Sequence, residues 1–291
     1  MTRKLLVLLL TFLLIFVNVG CTSQTEDFSK EKAESTYTNS SILKVHFIDV
    51  GQADSILIDQ NGKYMLIDAG NNADSDLIID YLKKQGVKKL EYVVGTHPHE
   101  DHIGSLDTVI NTFEIGKVLM PKVTNTTKTF EDVINAIKDK GLKITTPKVG
   151  DKYTLDEGEW IILAPNKDEY EDFNNYSIVI KYVFGNHSFL FTGDAEKESE
   201  EEMLLNNIEL KSDVLKIGHH GSNTSTTDEF LEAVNPSYGI ICVGQDNKYK
   251  HPHEETIDKL IKNNVEILRT DKNGTIIFTS DGKDLTYSTE N

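Results

Sequence analysis

Cysteine and arginine are nearly absent from this chain, with two of each in 291 residues, and each shortage sets a limit. Cys21 follows an N-terminal apolar run, and Cys242 lies in the apolar strand pattern Tyr238-Gly239-Ile240-Ile241-Cys242-Val243. If Cys21 is lipidated, no partner is left for an intrachain disulfide, and Cys242 reads as a buried strand residue. Cleavage behind the apolar run would also remove Arg3, leaving Arg269 as the one arginine. Positive charge is short overall. The formal charge is −17, and without Arg3 and Lys4 it becomes −19, from 28 basic and 47 acidic residues. Such a surface repels polyanions at long range and lacks the guanidinium forks suited to phosphate. Bound cations reverse the field locally, so a nucleic-acid substrate is disfavoured without being excluded.

The apolar run at residues 5–17 is too short to span a bilayer. With Arg3 and Lys4 before it, the run reads as the core of a signal peptide. Asn18-Val19-Gly20-Cys21 resembles the bacterial lipobox, in which the cysteine becomes the lipidated N-terminus; plain secretion is the alternative. Residues 1–20 are therefore expected to be a lipoprotein-type signal peptide. Residues 21–40, polar and poor in apolar side chains, are expected to be a flexible tether. Residues 41–291 are long enough for one domain with a substantial core. The expected location is the outer face of the cell membrane, held by lipid on Cys21, or the medium outside. No obligate protein partner is implied.

Strand patterns occupy residues 43–49, 55–59, 63–68, 90–95 and 115–120, with helix patterns at 75–85, 102–113 and 129–140. Further strands are predicted at 160–163, 177–184 and 188–192, the last two joined by the turn signal Gly185-Asn186. Helices at 196–206, 227–234 and 254–263 then alternate with strands at 213–217, 238–243, 265–268 and 275–279. Two β-rich halves with helices outside them predict an α/β sandwich.

The chemistry is concentrated in His97-Pro98-His99-Glu100-Asp101-His102, on the loop between a strand and a helix. Imidazole nitrogens and carboxylate oxygens hold zinc and similar divalent ions in sites left open for water. Pro98 keeps His97 extended, so His97 and His99 can project to the same side. Asp101 and His102, neighbours at a helix start, diverge by roughly 100° and can reach two ions. The plain alternative is an exposed loop with Asp101 as a helix N-cap. Asp194 ends the apolar strand Phe189-Leu190-Phe191-Thr192-Gly193, where an aspartate can bridge two cations, or simply cap a turn. His219 and His220 follow another strand between Gly218 and Gly221, glycines that permit close backbone approach. One of the two can complete a metal position and the other can donate a proton.

His97-x-His99-x-Asp101-His102, Gly193-Asp194 and His219-His220-Gly221-Ser222 resemble the metallo-β-lactamase superfamily. The nearer likeness is to the soluble hydrolase domain of ComEC-type DNA-uptake (competence) proteins. It rests on Phe47-Ile48-Asp49-Val50-Gly51-Gln52-Ala53-Asp54, Leu66-Ile67-Asp68-Ala69-Gly70, Asn174-Asn175-Tyr176-Ser177 and Tyr249-Lys250-His251-Pro252-His253. The resemblance implies an αββα sandwich with one or two divalent ions, zinc first and manganese or iron as alternatives. It implies that His97 and His99 serve the first ion, Asp101 and His102 the second, and Asp194 both. His219 is expected to complete the second position, with Asp101 orienting a metal-bound hydroxide and His220 as the proton donor; the two histidines are interchangeable at this stage.

Three departures limit the carry-over. A further histidine common between the two motifs is missing. The one candidate, His187, lies seven residues of strand from Asp194, roughly 20 Å away, and reads as a solvent-facing hairpin residue. Asn174, Asn175 or Ser177 would then help the first ion through water. Ala53 replaces a glycine, and no segment resembles the relatives' membrane channel, so DNA import is not implied.

The expected function is a metal-dependent hydrolase of the phosphodiesterase or nuclease type, acting on a phosphodiester or other ester that includes DNA. The alternatives are an esterase of small or cell-wall substrates and a non-catalytic surface lipoprotein on the same fold. Ser222 lies in no Gly-x-Ser-x-Gly elbow, which excludes that serine-hydrolase pattern. His46 reads as a strand residue, and His251 and His253 as helix-start groups that can reach substrate. Lys216, Lys248 and Lys250 are candidates for local positive charge.

Overall fold

The computed structural model describes residues 41–291, so the expected signal peptide, the tether and Cys21 lie outside the described residues. Two sheets carry the fold. The first has eight strands, β1 (Leu43–Phe47), β2 (Ile56–Gln60), β3 (Lys63–Ile67), β4 (Lys89–Val94), β5 (Glu114–Leu119) and β6 (Ile144–Thr145), closed by β14 (Ile276–Ser280) and β15 (Leu285–Thr289). Its order is β15-β14-β1-β2-β3-β4-β5-β6. The second has seven, β7 (Lys152–Leu155), β8 (Gly158–Ala164), β9 (Val179–Phe184), β10 (His187–Phe191), β11 (Val214–Lys216), β12 (Tyr238–Ile241) and β13 (Glu266–Arg269). It runs from β13 to β7 in reverse sequence order.

Alternation along the strands explains the layering. In β3, Tyr64 and Leu66 point to the core beneath the outer helices, while Met65 and Ile67 point to the core between the sheets. In β10, Phe189 and Phe191 face the other sheet and Leu190 faces outward to helices. Helices α1 (Ser75–Lys84), α3 (Leu106–Thr112) and α4 (Lys128–Asp139) cover the first sheet. Phe130, Val133 and Ile137 give α4 its apolar stripe at helical spacing. Helices α5 (Lys197–Leu205), α6 (Asp228–Val234) and α7 (Glu254–Lys262) cover the second. The layers are helix, sheet, sheet, helix, the αββα sandwich expected from the sequence. Among the described residues no helix is long and apolar enough to cross a membrane.

β3, β4, β5 and β6 are parallel, as are β10, β11, β12 and β13. Their carboxyl ends are where an open α/β sheet presents its ligand-binding loops. The loops after β3, β4, β10, β11 and β12 build the site described below. The Gly185-Asn186 hairpin joins β9 to β10 as expected, with Phe184 paired to His187.

The single helix expected over residues 102–113 is instead two, α2 (Glu100–Ile103) and α3. The amides of Gly104 and Ser105 bond to the carbonyls of Gly70 and Ala69, at 2.8 and 3.0 Å, rather than to the preceding turn. The Asp101 and His102 carbonyls accept from Asp54 and Ala69. A Cβ on Gly104 would meet the Asn71 backbone at 2.2 Å, so only glycine admits this approach. The short strands β6, β7 and β15 and the one-turn α8 (Thr270–Asn273) carry no period that sequence reading could find.

Candidate metal centre

Asp101, His102, Asp194 and His220 bring one ligand atom each to within 4.8 Å of one another. They come from three places in the chain. His102 is fixed first. It is fully buried, and its Nδ1 lies 2.8 Å from Asp68 Oδ2, which leaves Nε2 facing Asp194 Oδ2 at 3.2 Å. Asp68 is held in turn by the Thr96 amide and hydroxyl, at 2.8 and 2.7 Å. A carboxylate behind an imidazole sets its tautomer and aims its free nitrogen, as outer partners of metal-binding histidines do.

His220 is built the same way with a carbonyl in place of the carboxylate. Its Nδ1 donates to Cys242 O at 2.9 Å, and its Nε2 stands 3.4 Å from Asp101 and 3.5 Å from Asp194. This direction requires an unusual backbone, with His219 at φ +46° and His220 at φ +52°. Two successive non-glycine residues in the left-handed region cost about 1–3 kcal/mol each and persist only when their surroundings enforce them. Gly221 meets Pro252 and Gly218 meets Ser225, at 2.5 and 2.8 Å from an added Cβ, so the flanks must be glycine.

His219 points elsewhere. Its Nδ1 lies 3.1 Å from Glu196 Oε1, and its Nε2 is 3.8 Å from Asp194. The sequence sets down His219 as the ligand and His220 as the proton donor while leaving the two interchangeable; in the structure it is His220 that lies within the four-residue group. His97 and His99 form an adjoining pair, with Nε2 of one 3.0 Å from Nδ1 of the other, and His97 Nε2 is 3.9 Å from Asp194. The six residues singled out as ligands, and His220, thus gather at one place from loops far apart in sequence.

Burial would push the Asp194 carboxyl up, but His102, His220 and Lys216 hold it well below the usual carboxylate range. Burial would lower His102, and the Asp194 and Asp68 carboxylates override it, holding that imidazole well above its usual range. His220 is raised against burial by Asp194 and Asp101. His97, without such close carboxylates, is lowered by burial and by His102. Among the described residues, His102 Nε2, His220 Nε2 and Asp194 Oδ1 are buried and make no hydrogen bond. Buried ligand atoms that converge on one another without hydrogen bonds are costly unless a positive centre satisfies them. The set fits a divalent cation, and imidazole with carboxylate suits zinc, manganese or iron alike.

Three residues of the centre were missed as contributors. Asp68 and Asp54 stand in the sequence within longer motifs, each a carboxylate at the mouth of an apolar strand. Lys216, read as positive charge for a substrate, is instead fully buried. Its ammonium lies 2.5 Å from Asp54, 2.8 Å from the Gly193 carbonyl and 3.6 Å from Asp194. Asp54, Asp68 and His102 also lie close together, but through His102 Nδ1, the nitrogen that Asp68 occupies. That group is the support behind the site.

The remaining candidates separate. His187 is not solvent-facing: its side chain is 16 % exposed, and its Nε2 donates to Lys283 O, away from the centre. Ser177 accepts from the Asp194 amide and lies 3.3 Å from His97 Nδ1, and Asn175 Oδ1 accepts from the Glu196 amide. Asn174 bonds Glu196 beside His219. His251 lines the cavity over the centre with Lys248, whereas His253 accepts from the Asn223 amide; Cys242 is buried.

Residues 48–245 match the model of the metallo-β-lactamase superfamily. ComE operon protein 3 of Bacillus subtilis is 32 % identical over 264 residues, 84 % of this chain and 34 % of that protein. Competence protein ComA of Neisseria gonorrhoeae is 30 % identical over 79 % of this chain and 31 % of its own length. The chain therefore spans about a third of the length of these curated relatives. Among solved structures, the metallo-β-lactamase fold protein YhfI of Bacillus subtilis superposes with a TM-score of 0.54 at 12 % identity, covering 82 % of this chain and all of that one. The diiron β-hydroxylase CmlA of Streptomyces venezuelae gives 0.51 at 15 % identity, over 81 % of this chain and 52 % of its own. At such identities the structures speak for the fold, while the sequence matches settle kinship: this chain is a member of the metallo-β-lactamase superfamily, with competence proteins among its relatives.

Proposed function

We propose that this protein is a metal-dependent phosphodiesterase, with single-stranded DNA or a smaller nucleotide ester as its substrate. The observation that carries the reading is the set of buried ligand atoms on His102, His220 and Asp194 that make no hydrogen bond among the described residues. Divalent cations held there would polarise a phosphoryl oxygen and lower the pKa of water towards neutrality. His102 and His220 serve as ligands, each aimed by its outer partner, with Asp194 between them and with His97 and His99 alongside. Asp101, whose side chain is 27 % exposed, sits where buried cluster meets cavity and orients the attacking water. His219, a quarter exposed and backed by Glu196, is placed to pass a proton to the leaving oxygen. This exchanges the roles that sequence reasoning gave the two histidines. The relatives' names, which include competence, support a nuclease-type substrate. The apolar segment ahead of Cys21 supports a lipid-anchored enzyme at the outer membrane face.

The full chain loaded with zinc or manganese should hydrolyse bis(4-nitrophenyl) phosphate. His97→Ala and Asp194→Ala should each abolish turnover while leaving the circular dichroism spectrum unchanged. Full activity in either variant removes the proposal. The formal charge of −17 favours a second reading, an esterase of small or cell-wall substrates. A preference for neutral carboxylic esters over phosphodiesters would select it. A folded chain that takes up no metal would point to a binding module instead.

A further inference from the structure

We propose that Tyr249, with Lys248 and Gln52, forms a recognition wall of the metal-centre cavity that takes an unstacked nucleobase and its phosphate. The inference rests on the phosphodiesterase reading and gives it a substrate-selecting element.

The cavity holds about 640 Å³ and is lined by Asp101, Asp194 and His220 together with Gln52, Lys248 and Tyr249. Its size lies in the roughly 300–1,000 Å³ range of small-ligand sites, which suits one unit of a polymer. The loop after β12 that carries Tyr249 is braced. Asn247 Nδ2 donates to the carbonyls of Gly244 and His251, and its Oδ1 accepts from the His251 amide at 2.9 Å. Gln52 is tied to the same loop, its Oε1 accepting from the Gly244 amide at 3.1 Å. That bond fixes the orientation of the side chain and leaves Gln52 Nε2 buried without a partner.

Tyr249 is half exposed and stacks on His251, with ring centroids 5.6 Å apart and planes 23° from parallel. Among the described residues its hydroxyl makes no hydrogen bond. Lys248 Nζ lies 4.8 Å from the tyrosine ring and, among the described residues, pairs with no carboxylate, unlike the buried Lys216. A braced aromatic ring and an ammonium without a carboxylate partner are thus brought together beside a centre suited to phosphoryl chemistry, with Gln52 tying their loop to the opposite strand connection. Every base offers a π-face, and stacking on a protein ring is worth about 1–3 kcal/mol. A paired base does not offer that face, so the base must be out of the stack. Lys248 is then positioned for the adjoining phosphate, and Gln52 braces the wall through the Gly244 amide.

The test is a fluorescence titration of the full chain with a trinucleotide containing 2-aminopurine, read as quenching on stacking. Wild type should quench the probe, and Tyr249→Phe should quench it as well. Tyr249→Ala should bind about tenfold or more weakly. Lys248→Ala should flatten the salt dependence of binding. A trinucleotide abasic at the probe position should compete at least about tenfold less well than the intact one. Absence of quenching in wild type, wild-type binding by Tyr249→Ala, or equal competition by the abasic probe would each overturn the wall. Because binding is read without turnover, the two proposals fail separately. Quenching without hydrolysis removes the phosphodiesterase and keeps the wall, whereas hydrolysis of the bis-aryl ester without quenching does the reverse.

Discussion

His46 and His102 are equally buried, at 1 % and 0 % exposure, yet their surroundings push them in opposite directions. His46 stands on β1 under α1, with its Nδ1 2.8 Å from the Tyr81 hydroxyl and its Nε2 without a partner. Burial, and Lys44 nearby, lower its pKa to about 4, so the ring stays neutral. His102 meets Asp68 and Asp194, and the carboxylates reverse what burial alone would do. Burial is therefore no guide to function here. What separates a core histidine from a ligand is the count of buried carboxylates around it. Around His102 there are Asp54, Asp68 and Asp194, with Lys216 as the one permanent countercharge among the described residues. That deficit of positive charge makes the site attractive to a divalent cation, which would displace the protons that His102 and His220 otherwise hold.

Removing the one permanent countercharge should break the carboxylate side of this contrast most strongly. Lys216→Met leaves the buried Asp54 carboxylate with only the His220 and His102 imidazoles, at 3.4 and 3.8 Å, and should cost about 3 kcal/mol of stability in urea denaturation. An unchanged urea midpoint would mean that the ammonium does not hold the cluster together.

The histidine side is tested by pH. The folded pKa of His46, about 4, lies below its unfolded value of 6.5, so the unfolded chain takes up the proton first as pH falls. Its contribution is fully present above pH 6.5 and is lost as pH drops towards 4, amounting to roughly 3 kcal/mol. Subtracting the urea-stability profile of His46→Gln from that of wild type should isolate this slope. A flat difference would show that the ring is not held neutral by its surroundings.

A smaller effect is expected behind the metal. Asp68→Asn keeps the shape but weakens the aim of His102, and should lower metal affinity roughly 10–100-fold in competition with a chelator. Least of all, His187→Ala should leave metal content unchanged, because the ring bonds Lys283 instead. Loss of metal in that variant would place His187 among the ligands after all.

Much of this was readable in the chain, for reasons that also explain what was not. The histidine motif, the Gly185-Asn186 hairpin and the two β-rich halves are local signals, each contained in a few consecutive residues. Asp68 supports His102 across 34 residues of sequence, and a lone aspartate after an apolar strand looks like a turn residue until the fold supplies its partner. Lys216 is similar, since nothing local distinguishes a buried lysine from a solvated one. The choice between His219 and His220 depends on two left-handed backbone angles, which adjacent identical residues cannot announce. The break at Gly104 comes from a second loop that takes over the helix amides, a tertiary effect that no helical period encodes.

Elemental analysis of the folded, full-length protein after equilibration with zinc or manganese and removal of free ions puts the cation site to the most direct test. About one or two divalent ions per chain are expected in wild type. Asp194→Asn should lose them while keeping its fold. A folded wild-type chain that retains no metal, or an Asp194→Asn variant that retains the full amount, would contradict a centre built around that carboxylate.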